Sequence, residues 1–146
     1  HHLSKHTLEI HATPDLPVVH ADFVLIGQVF VNLLDNAAKY SPVGSTIVAR
    51  TQLEEKFVAV AIEDEGIGIP SGDLERVFDK FYRVQQSDTR TAGTGLGLSI
   101  CRGIIQEHSG SIAAESPIVG DHGTRMTVRL PIADNVPSFD QSMVEL

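Results

Sequence analysis

Two eight-residue runs, Thr46 to Leu53 and Phe57 to Asp64, are separated only by Glu54-Glu55-Lys56. Both read as strands, and so tight a turn between them makes a β-hairpin. In the second run Val58, Val60 and Ile62 point to one face, and Asp64 continues that series. A carboxylate therefore sits on the core side at a strand end. It is either a turn residue or an acceptor for a ligand amino group, and a buried carboxylate needs a donor to offset its desolvation.

Upstream, Thr7 to Ala12 alternates polar and apolar residues and reads as a strand. Pro14-Asp15-Leu16-Pro17 breaks it, Val18 to Ala21 reads as a short edge strand, and Asp22 is placed as an N-cap. Phe23 to Tyr40 is helical in pattern. Ile26, Val29, Phe30, Leu33 and Ala37 share one broad face, while Gln28, Asn32, Asp35, Asn36 and Lys39 share the opposite arc. Asn32 and Asn36 lie one turn apart, with Lys39 further on. The arc is either an ordinary solvated face or a functional stripe. Asn is a poor helix former, so two on one stripe cost stability. Amide oxygens beside an ammonium suit a hard cation and its phosphate ligands. Ser41-Pro42-Val43-Gly44 ends the helix.

After the hairpin, Gly66 and Gly68 in Asp64-Glu65-Gly66-Ile67-Gly68-Ile69-Pro70 make a turn where backbone can lie against a flat ligand. Ser71 to Val77 reads as a short helix. Phe78 and Phe81 share a helical face, and at least one of them is expected in the core. Val84 to Thr94 has no period and reads as a mobile, lid-like loop. It leads into Gly93-Thr94-Gly95-Leu96-Gly97-Leu98, where alternate glycines run into a helical pattern. Such a stretch is either an anion cradle or a plain loop feeding a helix. Leu96 to His108 is the second long helix, with Leu96, Ile100, Ile104 and Ile105 as its apolar stripe and Cys101 beside it as inert packing. Ser109-Gly110 stops it. Ser111 to Glu115 and Thr124 to Leu130 are strands joined through a turn at Gly120 to Gly123, with Met126, Val128 and Leu130 inward. The tail from Ile132 to Leu146 is poor in pattern and expected to fray.

Hairpins and helices are thus mixed without regular βαβ alternation. That predicts an α+β fold, a two-layer sandwich with helices on one face of a mixed, mostly antiparallel sheet. The 146 residues fit one domain over residues 3–131, with His1-His2 either a tag remnant or native. No apolar run approaches the roughly 20 residues that span a bilayer, and no leader segment is read. The start inside a strand-like segment leads us to expect a piece of a longer protein. One cysteine, Cys101, excludes an internal disulfide and fits a reducing compartment. A net charge of −8 argues against nucleic acid as a partner. It also requires a nucleotide site to gather its cations locally.

Four stretches carry a resemblance. Asn32 to Tyr40 resembles an N box, Asp64 to Pro70 a G1 box, Phe78 to Arg83 an F box, and Gly93 to Leu98 a G2 box. In this order and spacing they resemble the catalytic ATP-binding domain of sensor histidine kinases, which shares the Bergerat (GHKL) fold with gyrase, Hsp90 and MutL. The resemblance covers about Asp22 to Pro131. It implies Mg²⁺ on Asn32 and Asn36, and phosphate contacts from Lys39 and Arg83. It implies an adenine site with Tyr40 at its flank, Ile67 and Ile69 as its bed, Asp64 accepting from the amino group and Thr124 reaching it through water. Gly66, Gly68 and Phe81 belong to the same expected site. Gly93, Gly95 and Gly97 would close over the phosphates, with Thr94, Leu96 and Leu98 nearby. Lys39 to Pro42 and Ser99 to Ile104 further resemble potassium-responsive kinases of the KdpD type.

The activity so implied is phosphoryl transfer from ATP-Mg²⁺ to a histidine on dimerisation helices, for relay to an aspartate of a response regulator. The parent would be a homodimer in the bacterial inner membrane, with this domain cytoplasmic and, as a fragment, monomeric. Asn32 stands where the ATPase branches carry a Glu that resembles a general base. An amide takes no proton, so ATP hydrolysis is expected to be poor. The chain has no His followed by an acidic residue and then Pro, and is expected not to phosphorylate itself. Alternatives are a GHKL ATPase, an anti-sigma-factor-like serine kinase, and a degenerate nucleotide-binding interaction module.

Overall fold

The computed structural model describes residues 2–82 and 97–133. Its long elements are β1 (Thr7–His11), α1 (Phe23–Tyr40), β2 (Thr46–Leu53), β3 (Phe57–Asp64), α2 (Gly97–Glu107), β4 (Ser111–Glu115) and β5 (Thr124–Pro131). The sheet order is β1-β2-β3-β5-β4. Only the β1–β2 pair is parallel, and the other three are antiparallel. This is the expected mixed sheet. Among the described residues no helix is long and apolar enough to cross a membrane.

Local chemistry sets the ends of α1. Asp22 is extended and its carboxylate accepts from the Leu25 N–H at 3.0 Å, satisfying one of the free donors of the first turn. At the other end Ser41 returns to extended backbone ahead of Pro42, as a residue before proline tends to. The helix buries Val29, Leu33, Ala37 and Ala38 against Ile47, Ile62, Met126 and Val128 of the sheet, and α2 adds Cys101 and Ile105. Val60 and Val128, Ile62 and Met126, and Asp64 and Thr124 are cross-strand partners, so the alternation in β3 does carry Asp64 to the helix side.

The opposite face of the sheet is charged. Glu63 lies between Arg125 at 2.8 Å and Arg50 at 3.1 Å, Arg125 also reaches Glu115 at 3.2 Å, and Arg129 grips Glu54 at 2.9 Å. Burial pushes the Glu63 carboxyl up, but hydrogen bonds and charge from Arg125 and Arg50 outweigh it and hold it below the usual carboxylate range.

A histidine ties the two helices together. His108 Nδ1–H donates to the Ile104 carbonyl at 2.8 Å, while its Nε2 accepts from the Asp22 N–H at 2.9 Å. The C-terminal end of α2 is thereby joined to the N-terminal end of α1.

Several expectations are corrected. Val18 to Ala21 is no strand: Val19 makes a single bridge to Ile132. Ser71 to Val77 is not one helix but the 3₁₀ turns Ser71–Asp73 and Arg76–Phe78. The stripe of α2 is rotated, with Cys101 at its centre and fully buried, and Ile100 49% exposed. The helix stop uses Ser109 at φ 60 as its left-handed residue, followed by Gly110 N–H donating to the Ile105 carbonyl at 3.0 Å. Gly110 is needed for a different reason: a Cβ there would strike the Arg129 carbonyl oxygen. Ile132 and Ala133 are still hydrogen-bonded, to Lys56 and Val18, so the first two residues of the expected frayed tail are held; the remainder, 134–146, lies outside the described residues.

Candidate functional site

A cavity of about 250 Å³ opens between the C-terminal half of α1, the start of α2 and one end of the sheet. Asn32, Asp35, Asn36, Lys39 and Tyr40 line it from α1, and Gly97 and Leu98 from α2. The polar arc of α1 is thus half-buried rather than solvated, apart from Gln28, which is exposed. Asn32 Nδ2 donates to Cys101 Sγ at 3.7 Å, and that thiol donates to the Val29 carbonyl at 3.8 Å. Burial pushes the thiol up, so Cys101 is packing and an amide anchor rather than a nucleophile. With its nitrogen engaged, Asn32 keeps its amide oxygen available. The N-terminus of α2, at Gly97, brings a partial positive charge to the same end.

The other end of the cavity is apolar with one acid. Ile62, Ile67, Ile69, Val77 and Met126 line it together with Asp64, Thr124 and Gly68. Asp64 Oδ1 accepts from the Gly66 N–H at 2.8 Å. Burial pushes this carboxyl up from 3.8 to about 6, against the opposing pull of backbone hydrogen bonds from Gly66 and Thr124. Gly66 does not line the cavity itself. It is required because a Cβ would come within 2.7 Å of the Tyr40 carbonyl and 2.9 Å of Asp64 Oδ1. Gly68 has φ 84, a backbone that favours glycine.

The structure does not bring Phe81 into this cavity. Its φ of 68 turns the chain, leaving the ring 69% exposed. Tyr82 lines the wall instead, its hydroxyl donating to Asp73 at 3.0 Å. Burial, the bond to Asp73 and that carboxylate's charge push the phenol up to about 12. Phe78 is buried, with the Arg102 guanidinium 5.1 Å from its ring centroid. Arg83, Gly93, Thr94, Gly95 and Leu96, with the loop from Val84 to Ala92, lie outside the described residues.

Asp35, Val77, Tyr82 and Met126 line the cavity without having been assigned to it from sequence. Asp35 carried a signal, since it lies on the same arc as Asn32 and Lys39. Met126 was placed inward but read only as core. Among the described residues no group of three or more His, Cys, Asp or Glu could hold a metal ion by itself. A cation here would share oxygens between the protein amides and a ligand, which fits Mg²⁺.

A family model described as "Histidine kinase-, DNA gyrase B-, and HSP90-like ATPase" matches residues 21–134. The sensor histidine kinase WalK of Bacillus subtilis is 42% identical over 131 residues, which is 87% of this chain and 21% of WalK. The sensor protein KdpD of Clostridium acetobutylicum is also 42% identical, over 115 residues, covering 77% of this chain and 13% of that protein. KdpD is therefore one relative among several rather than a distinguished one. The solved structure of the mycobacterial sensor histidine kinase MprB superposes with a TM-score of 0.76 at 32% identity, covering 88% of this chain and 83% of that one. The chain spans about a fifth of WalK and less of KdpD.

Proposed function

The chain belongs to the histidine kinase-, DNA gyrase B- and HSP90-like ATPase family as a catalytic domain of the sensor-kinase type, and from that premise we propose that its cavity binds ATP with Mg²⁺ and presents the γ-phosphate to a histidine of the same kinase. The observation that carries this reading is the division of one cavity into two chemistries. A buried carboxylate sits among isoleucines at one end, and amides, an ammonium and a helix N-terminus gather at the other.

Adenine lies at the Asp64 end. Its amino group donates to the carboxylate, its faces meet Ile67, Ile69 and Met126, Tyr40 flanks it, and Thr124 reaches it through water. The triphosphate runs toward α2. Asn32 and Asn36 would hold Mg²⁺ through their amide oxygens, and bound there the ion neutralises phosphate charge. Asp35 adds negative charge to this end, so a triphosphate beside it needs a cation. Lys39 supplies a further positive group, and Arg83 and the glycines Gly93, Gly95 and Gly97 are assigned to the same phosphates.

In-line phosphoryl transfer asks mainly for positioning and charge neutralisation. Asn32 cannot abstract a proton from water, which favours transfer to a protein acceptor over hydrolysis. The acceptor histidine belongs to dimerisation helices of the parent kinase, and the phosphoryl group then passes to a response-regulator aspartate. The parent is assigned to the bacterial inner membrane, with this domain on its cytoplasmic side.

Two measurements test this. Titration calorimetry should show ATP binding that is strengthened by Mg²⁺. Incubation with γ-labelled ATP should leave the chain unlabelled, and label should appear on a dimerisation domain supplied in trans. Stoichiometric label on this chain alone would overturn the transfer scheme.

A further inference from the structure

Ser116, just after β4, sits behind the apolar end of the cavity without lining it. Its hydroxyl oxygen accepts from the Ile69 N–H at 2.9 Å and donates to the Gly123 carbonyl at 2.7 Å. The first partner belongs to the loop that supplies Ile67, Gly68 and Ile69 to the cavity. The second precedes Thr124, which lines the cavity and whose N–H bonds Asp64. A second link runs parallel, with the Gly123 N–H donating to the Gly66 carbonyl at 2.9 Å. There is no slack at this junction: a Cβ on Gly68 would lie 2.8 Å from the Ser116 hydroxyl.

The Ser116 hydroxyl is thus the side-chain part of a two-link clasp that holds the isoleucine bed at its spacing from the carboxylate that faces a bound base, and it is the link that reaches Ile69. We propose that Ser116 is a positioning residue that sets the base selectivity of the site, an inference that rests on the nucleotide reading above. The argument is geometric. A carboxylate favours a base that presents an amino group and repels one that presents a carbonyl at the same place. That discrimination works only while the bed holds the base in register with Asp64. Removing the hydroxyl leaves the Ile69 N–H and the Gly123 carbonyl without this partner and frees the loop to shift. A guanine can then tilt away from the carboxylate, and an adenine loses its alignment. The phosphate end is untouched, because Ser116 bonds nothing there.

The test is titration calorimetry of the chain with Mg-ATP, Mg-GTP and Mg-tripolyphosphate, below the melting temperature of every variant. Ser116→Ala should weaken ATP about tenfold, as expected for loss of roughly one buried hydrogen bond. It should reduce the ATP-over-GTP ratio by a similar factor and leave tripolyphosphate within about twofold. Ser116→Thr, which keeps the hydroxyl, should restore the ratio. Should Ser116→Ala not fold, Ser116→Cys is read the same way, with a smaller loss of selectivity. A parallel fall for all three ligands at constant ATP-over-GTP ratio means that Ser116 merely supports the fold, and overturns the inference while leaving the nucleotide site standing. Wild-type protein that binds ATP no better than GTP overturns the adenine site itself and this inference with it.

Discussion

Asp64 and Gly66 constrain one another: the Gly66 N–H donates to Asp64 Oδ1 at 2.8 Å, and any side chain at Gly66 would approach that oxygen to 2.9 Å. The carboxylate is held in place at the cost of burying its charge, and burial raises it to about 6. The folded protein therefore binds this proton more tightly than the unfolded chain does. The contribution to stability is fully present below the unfolded value of 3.8 and is lost as pH rises through about 6. Asp64→Asn should melt at a higher temperature than wild type at pH 7.5, by about 1–3 kcal/mol of stability, and the advantage should vanish toward pH 4. The same variant should bind ATP more weakly. Thermal melts across pH, paired with calorimetry, check both; a variant less stable than wild type at pH 7.5 contradicts the assignment.

If the proposed Mg²⁺ site is right, Asn36→Ala and Asn32→Ala should each lose Mg²⁺-dependent ATP affinity by about tenfold or more, since each removes an amide oxygen from the cation. Metal-free nucleotide binding should change little. Titrations with and without EDTA separate the two, and equal losses in both would mean that these amides contact the nucleotide directly.

The Cys101 thiol should be silent in the native protein. It is fully buried, bonded to Asn32 and Val29, and raised by burial. A thiol reagent should give no colour under native conditions and one equivalent in denaturant. Rapid native labelling would mean that the contact between α1 and α2 opens readily.

Gly27 and Gly103 are spare, whereas Gly110 is not. Nothing lies within 4 Å of a Cβ built at Gly27 or Gly103, and both are in helices. Gly27→Ala and Gly103→Ala should each stabilise by about 0.5–1 kcal/mol. Gly110→Ala should destabilise by more than about 2 kcal/mol, because its Cβ would strike the Arg129 carbonyl in the adjoining strand. Denaturant melts of the three variants rank them directly.

Where the sequence was readable, the determinants were local. The bounds of α1 follow from a capping Asp22 and a terminating Pro42, and the hairpin from its three-residue turn. Asp64 was placed inward by strand alternation, and the bonded register with Thr124 agrees. What was misread depends on distant chain. Val19 makes one isolated bridge, to Ile132, among the described residues, so its segment does not become a strand. Cys101 displaces Ile100 from the core because a small sulfur meets Asn32 and Val29 of α1, a partner invisible in the α2 sequence. Phe81 leaves the cavity through one positive φ. Ser116 gives no signal at all, since a serine before a proline looks like any turn.

The bond from Asp22 to His108 has a mechanical meaning. It pins α1 and α2 at the end remote from the cavity, and the bonds from Cys101 to Asn32 and Val29 pin them again one turn from Gly97. Eleven helical residues put about 16 Å between the two ends of α2. The two helices that wall the cavity are therefore clamped at both ends of that span, and a group that pulls on α2 at Gly97 pulls on Asn32 as well.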